Sequence, residues 1–148
     1  MANRKVVDER LPRRCEKKVP MVVCTRTGGD NSAAFTRALA TVPNGSEIVG
    51  VDLIPSGAVA QAAANYWTFE LKAGATSIAA IDTEDGGDGV ALSAETNQAM
   101  TLTSTLADRK VSTGDLLSLV GTPANPGNGA DLSGVDLTVC IRFQPTGE

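Results

Sequence analysis

The chain has 148 residues, 42% of them apolar and only 3% aromatic, and it contains no histidine. This length suits one domain with a hydrophobic core of its own. The absence of histidine excludes Ser-His-Asp and Cys-His nucleophile systems, and no apolar run reaches the roughly 20 residues of a membrane-spanning helix.

The charge is divided unevenly along the chain. Residues 1–18 carry seven Lys or Arg against three Asp or Glu, whereas the whole chain has a net charge of −4. A basic segment on an acidic body is typical of an interaction arm. Pro12, Pro20 and the lack of any helical or alternating period predict an extended arm over residues 1–20. Residues 21–148 are then the folded domain.

The first elements after the arm are short. A β-branched run at residues 21–25 predicts a strand. Residues 33–41 fit either a helix or a strand. Residues 47–55 are β-branched and end at a proline, which predicts another strand. The run of small residues at 56–65 suits either a short helix or a long crossing between two sheets.

The second half of the chain alternates more cleanly. Residues 66–73 place Trp67 and Phe69 on one face and polar residues on the other, which predicts a half-buried strand. Residues 76–83 are its expected partner. The patterns at 98–106 and 111–121 predict two more strands.

The last strand, residues 135–143, has the clearest pattern. Alternate residues from Val135 to Phe143 are apolar and predict the inward face, while Cys140 and Arg142 belong to the outward face. About eight strand candidates separated by turn signals predict an antiparallel β-sandwich. Several long connections favour a jelly roll of about eight strands over a simple meander.

The three cysteines, Cys15, Cys24 and Cys140, do not fit a zinc site. An odd number of cysteines in a chain with a sizeable core does not suggest a disulfide scaffold. We therefore expect Cys24 and Cys140 to be free thiols in the core or the sheet of a protein that folds in a reducing cytoplasm. Cys15, in the arm, is the expected exposed thiol.

No motif predicts a catalytic or cofactor site. The chain lacks a phosphate-binding loop and a dinucleotide-binding glycine motif. The loop "DTEDGGDG" at 82–89 offers Asp82, Asp85 and Asp88 as possible calcium ligands, but the EF-hand spacing and its closing glutamate are missing, which favours a solvated hairpin loop. We expect no enzymatic activity, no cofactor and no small-molecule substrate.

The basic arm has three possible roles: binding nucleic acid, keeping the chain soluble, or docking on a partner protein. It has no aromatic residue to stack on bases, and the acidic body would repel nucleic acid. Its mixture of cations, prolines and apolar residues favours docking on a protein. The expected contact residues are Arg4, Lys5, Val6, Val7, Arg10, Leu11, Arg13, Arg14, Lys17 and Lys18.

Three stretches carry a resemblance to a known family. They are "GSEIVGVDLIPSGAVAQAAANYWTFELKAG", "LSAETNQAMTLTSTLADRKVSTGDLLSLVGT" and "VDLTVCIRF". Together they resemble the small jelly-roll decoration, or cement, proteins on the heads of tailed phages. The resemblance covers roughly residues 46–143 and is best at Gly114-Asp115 and in the 135–143 strand.

The resemblance implies a non-enzymatic virion protein, made in the host cytoplasm and located on the outer surface of the capsid. Such proteins typically form homotrimers at three-fold or quasi-three-fold positions and clamp neighbouring major capsid subunits. Their partners are the major capsid protein and other copies of themselves, with no nucleic acid and no membrane. The arm would then be a tether that becomes ordered on the capsid.

The alternative is a carbohydrate- or receptor-binding sandwich from a phage fibre. Sugar-binding sites commonly stack rings on exposed aromatic side chains. The alternation at 66–73 predicts that Trp67 and Phe69 point into the core, which leaves Tyr66 as the one candidate platform.

Overall fold

A computed structural model describes residues 21–28, 33–125 and 130–146. Within these residues the fold is all-β, with two antiparallel sheets packed as a sandwich. The predicted antiparallel β-sandwich is therefore confirmed. The basic arm lies outside the described residues.

Ten strands make up the two sheets of the described part of the chain. The strands of sheet A are β1 (Met21–Gly28), β3 (Ser46–Pro55), β6 (Gln98–Ala99), β8 (Lys110–Val111) and β10 (Asp136–Pro145). The strands of sheet B are β2 (Phe35–Thr41), β4 (Trp67–Ala73), β5 (Thr76–Asp82), β7 (Thr101–Leu102) and β9 (Leu116–Pro123).

Strands distant in sequence pair with each other in a nested order. In sheet A the order is β1-β10-β3-β6, and β8 also pairs with β3; in sheet B it is β2-β9-β4-β5-β7. The first strand thus pairs with the last, the second with the second last, and the third with β6 and β8. Strands β4 and β5 form the hairpin at the centre of this nesting.

The core lies between the sheets and is built from alternate residues of the long strands. In β10 the residues Leu137, Val139, Ile141 and Phe143 are all buried, as the 135–143 pattern predicts. Trp67 and Phe69 of β4 are fully buried and stack with ring centroids 5.9 Å apart. Inward-facing apolar side chains remove their surface from water, which is the main term stabilising such a sandwich.

Residues 33–41, which the sequence leaves open between helix and strand, contain strand β2. Phe35 at its start is buried and packs 5.8 Å from Trp67 and 6.4 Å from Phe69, measured between ring centroids. Its ring lies over Gly121 of β9, where any Cβ would overlap it. The glycine therefore provides the space in which the first side chain of β2 enters the core.

Residues 56–65 cross from sheet A to sheet B, so the crossing interpretation is confirmed and the helical one is wrong. Val59 and Leu92, both buried, exchange backbone hydrogen bonds of 2.8 and 2.9 Å. A run of small residues allows this close approach, and tertiary pairing overrides its helical propensity.

The single strand predicted at 98–106 is wrong. Gln98 and Ala99 pair with β3 in sheet A, whereas Thr101 and Leu102 pair with β5 in sheet B. Met100 lies between them and is buried. The chain then forms a short 3-10 helix, Leu106–Arg109. The alternation is real, but it spans a change of sheet, which a period of two residues does not reveal.

Candidate functional site

The basic arm joins the fold at an edge strand. The ten arm residues expected to bind a partner, and Cys15, lie outside the described residues. The first described residue is Met21, where β1 begins. Among the described strands, β1 is the outer strand of sheet A and pairs only with β10. Any force on the arm is therefore transmitted to the sandwich through β1.

β1 contributes little to the core. All eight of its residues are exposed or half-buried, and of its side chains only Val23 packs against the core cluster. Met21 and Val22 are large apolar side chains that remain exposed, Val22 by 55%. An edge strand of this kind is held by its backbone ladder more than by burial.

Cys24 of β1 and Cys140 of β10 form a disulfide, so the expectation of two free thiols is wrong. The antiparallel register places the two residues directly opposite each other, with their Cα atoms 4.0 Å apart. Their side chains lie on the outer face of the sheet: Cys24 is exposed and Cys140 is half-buried. The separation of 116 residues gives no local spacing signal, because only the strand order brings the pair together.

This disulfide links the first described strand to the last one. In the chain-entropy description, a crosslink closing a loop of more than 100 residues stabilises the fold by about 4–5 kcal/mol, by restricting the unfolded chain. The sequence signal that could have suggested it is the outward position of Cys140 in the alternating pattern of β10. A cysteine on a solvated face has no packing role.

Two ion pairs flank the disulfide on the outer face of sheet A. Arg26 of β1 pairs with Asp136 of β10, and both side chains are well exposed. Arg142 of β10 donates to Asp52 of β3 at 2.7 Å. Asp52 is 8% exposed by its side chain, whereas Arg142 is 44% exposed. The two pairs link the edge strand β1 to β10, and β10 to β3, across the outer surface of the sheet.

The Arg142 side chain lies over a glycine. It crosses Gly50 of β3, where a Cβ would overlap the guanidinium group. A register shift beside Arg142 marks an irregularity in the pairing of β10 with β3 at this point. The glycine therefore gives Arg142 the path to the buried carboxylate of Asp52, a role that the sequence pattern does not predict.

The outer face of sheet B is built from small and weakly polar side chains. Across the central strands β9 and β4, register places Ser118 opposite Lys72 and Val120 opposite Glu70. Lys72 lies 3.0 Å from Glu70 in an ion pair. Burial raises the pKa of Glu70, but hydrogen bonds from Lys72 and Ser77, with the charge of Lys72, outweigh it and lower the pKa below its ordinary value.

The acidic loop at 82–89 is organised by its own hydrogen bonds. The Asp82 Oδ1 atom accepts from the Glu84 N–H at 3.1 Å, and the Val90 N–H donates to the Asp82 carbonyl at 2.9 Å. Within the described residues, no three His, Cys, Asp or Glu side chains are grouped to hold a metal ion. Asp82 thus acts as a turn residue at the end of β5.

The structure leaves Tyr66 as the aromatic residue for a sugar platform, as predicted, since Trp67 and Phe69 are fully buried. Tyr66 is half-buried, and its carbonyl accepts a hydrogen bond from Ala124 at 3.0 Å.

A second surface feature is a shallow groove of about 390 Å³ beside the β4–β5 turn, lined by Gly74, Asp115 and Leu116 among others.

Comparisons of the sequence with family models and curated proteins do not identify a family for the chain. No protein-family model matches the sequence, and no curated protein shows significant similarity to it. In the described part of the chain, no helix is long and apolar enough to cross a membrane.

Proposed function

We propose that this chain is a non-enzymatic structural protein of a phage virion. It binds the outer surface of the capsid as a homotrimer at three-fold or quasi-three-fold positions. Residues 1–20 tether it to neighbouring major capsid subunits, which the bound trimer clamps together.

The observation that carries this proposal is the way in which the arm is attached. A basic segment with a net charge of +4 over residues 1–18 leads into an edge strand fixed to the sheet by a disulfide. An arm that is pulled needs an attachment that resists tension without disturbing the core. A covalent bond on the outer face of the sheet provides this, because it transfers tension from β1 to the well-buried β10.

The nested strand pairing supports the jelly-roll part of the proposal. A jelly roll is a long antiparallel hairpin wrapped into two sheets. Here β1 pairs with β10, β2 with β9, β3 with β8 and β4 with β5, and successive pairs alternate between sheets A and B. Apart from the two-residue strands β6 and β7, this nesting is what one wrapped hairpin would give, and it supports the jelly roll as part of the proposal.

The outer face of sheet B supports packing between copies. It carries Thr36, Ala38, Ser118 and Val120 on its edge and central strands, and the charges of Glu70 and Lys72 are paired with each other. Small side chains with little net charge allow two surfaces to approach closely at a low desolvation cost. Symmetric copies then add their separate weak contacts into firm attachment.

The test is co-sedimentation of the purified chain with undecorated, expanded phage heads, with and without residues 1–20. We expect the full chain to pellet with the heads and the truncated chain largely to remain in the supernatant. Circular dichroism of the truncated chain should still show the β-sandwich, so that lost binding is not lost folding. If the truncated chain binds equally well, the arm is not the tether.

A variant with a full-length arm separates the effect of the arm's charge on binding from the effect of its length. Arg13→Glu with Arg14→Glu keeps the arm intact, and we expect binding to weaken by about two- to five-fold per copy for each lost charge contact. The loss should be larger at low salt, where screening is weak. If neither the full chain nor any variant pellets, the proposal fails, and a glycan array then tests the alternative role.

A further inference from the structure

We propose that the Cys24–Cys140 disulfide is a solvent-accessible redox latch on β1. Reduction by a thiol or dithiol releases β1 from sheet A, while the rest of the sandwich stays folded. The inference concerns the chain alone and does not depend on a capsid partner.

In the described part of the chain, backbone pairing rather than burial holds β1 in place beside the disulfide. It shares an antiparallel ladder of eight residue pairs with β10, and the Thr25 hydroxyl donates to the Leu39 carbonyl of β2 at 3.4 Å. Its ion pair, Arg26 with Asp136, is exposed on both sides. An exposed ion pair and a long hydrogen bond each contribute little, and no side chain of β1 is fully buried. Local opening of such a strand is cheap once the crosslink is gone.

The neighbouring strand does not need β1 to stay folded. β10 pairs along its other edge with β3, over nine residue pairs from Leu137–Pro55 to Pro145–Ser46. Its inward side chains Val139 and Ile141 are covered by the opposite sheet and the core cluster. Loss of β1 therefore removes one ladder at the edge of sheet A and leaves the core closed.

The sulfur atoms are placed for exchange with an external thiol. Cys24 is exposed and Cys140 is half-buried, so the attacking thiolate approaches the Cys24 sulfur. A new S–S bond forms between the reagent and Cys24, the Cys24–Cys140 bond breaks, and Cys140 leaves as a thiolate that takes up a proton. The second thiol of a dithiol then attacks the mixed disulfide and releases Cys24. The protein gains two electrons and two protons, and the dithiol becomes a cyclic disulfide.

Reduction of the disulfide, with release of β1, changes how far the arm can reach from the sandwich. The eight residues of β1 would no longer be paired, which adds about 26 Å of reach between the sandwich and residue 20 when they are fully extended. The oxidised protein thus presents a short, firmly attached arm, and the reduced protein a longer arm with a weaker attachment. The redox state of one surface bond then sets both the reach of the basic segment and its resistance to tension.

Hydrogen–deuterium exchange on the full chain tests this inference, with dithiothreitol as the reductant. The Cys15→Ser background removes the third thiol, which could otherwise exchange with the disulfide. The measured quantity is the exchange rate of the β1 amides relative to those of β4, Trp67–Ala73, in the same sample. We expect this ratio to rise about tenfold or more on reduction, while circular dichroism keeps the sandwich signature.

Two controls make the outcome decisive. The additional changes Cys24→Ser and Cys140→Ser should reproduce the reduced state without any reductant, and adding dithiothreitol to that variant should change nothing. The inference is overturned if the ratio of rates does not change on reduction, since β1 then opens only with the whole fold. It is equally overturned if mass analysis after alkylation finds two free thiols in the oxidised Cys15→Ser protein.

Discussion

Strands β1 and β2 are the edge strands on one flank of the sandwich, and they are fixed in opposite ways. Within residues 21–28, 33–125 and 130–146, each pairs with a single neighbour, β1 with β10 and β2 with β9. β2 inserts the buried ring of Phe35 into the core, over Gly121. β1 buries none of its side chains and is crosslinked to β10 instead. An edge strand fixed by burial can leave only if the core opens, whereas one fixed by a surface disulfide can be released chemically.

The largest expected effect comes from Phe35, the buried side chain that fixes β2 to the core. Phe35→Ala removes a buried aromatic ring that contacts Trp67 and Phe69, and we expect it to lower the free energy of unfolding by about 3–5 kcal/mol. Denaturation in urea measures the loss. Val22→Ala on β1 is the matched control: Val22 is 55% exposed, so we expect a change within about 0.5 kcal/mol. Similar losses at both positions would remove the contrast between the two strands.

Breaking each of the two Arg–Asp pairs of sheet A tests how β1 is held, with smaller expected losses than that of Phe35→Ala. Arg142→Ala leaves the buried carboxylate of Asp52 without its partner, and we expect a loss of about 1–3 kcal/mol in the free energy of unfolding. Arg26→Ala breaks the pair that reaches β1, and both of its side chains are exposed, so we expect less than about 1 kcal/mol. Urea denaturation of the two variants at the same pH gives both values.

The result that would count against this account is a larger loss for Arg26→Ala than for Arg142→Ala. β1 would then be held by its ion pair, and reduction of the disulfide would not be enough to release it. Gly50→Ala provides an independent check, since an added Cβ overlaps the Arg142 guanidinium group. Because that group is the end of a flexible side chain, we expect a loss no larger than that of Arg142→Ala.

The sequence predicts the buried strands better than the edges. The alternation in β10 and β4 reports burial directly, so the inward positions of Phe143, Trp67 and Phe69 are confirmed. The pattern at 98–106 misleads because the residues on either side of Met100 join different sheets. Alternation reports which side chains are buried, but it does not identify the strands with which a segment pairs.

The contacts of the candidate site depend on which strands are neighbours, and alternation does not report this. The Cys24–Cys140 bond and the Arg142–Asp52 pair both join strands distant in sequence, and both lie on the solvated face. They follow from strand order and register, which a single sequence does not determine. The basic arm is predicted from charge and composition alone, and both the arm and its ten expected contact residues remain predictions. The resemblance to decoration proteins likewise remains a proposal.

The smallest expected effect is a pH dependence on the outer face of sheet B, where the Glu70–Lys72 pair lies on β4. The pKa of Glu70 is lowered in the folded protein from its ordinary value of 4.5. The carboxylate therefore stabilises the fold above that value, and the contribution is lost as the pH falls through the lower folded pKa. We expect Glu70→Gln to cost about 0.2–1 kcal/mol at neutral pH, and the difference from wild type to shrink as the pH falls below 4.5. Urea denaturation of both proteins across this range measures it. A difference that stays constant with pH would mean that Glu70 acts through packing, in which case the Glu70–Lys72 pair of sheet B, unlike the Arg142–Asp52 pair of sheet A, contributes nothing to stability.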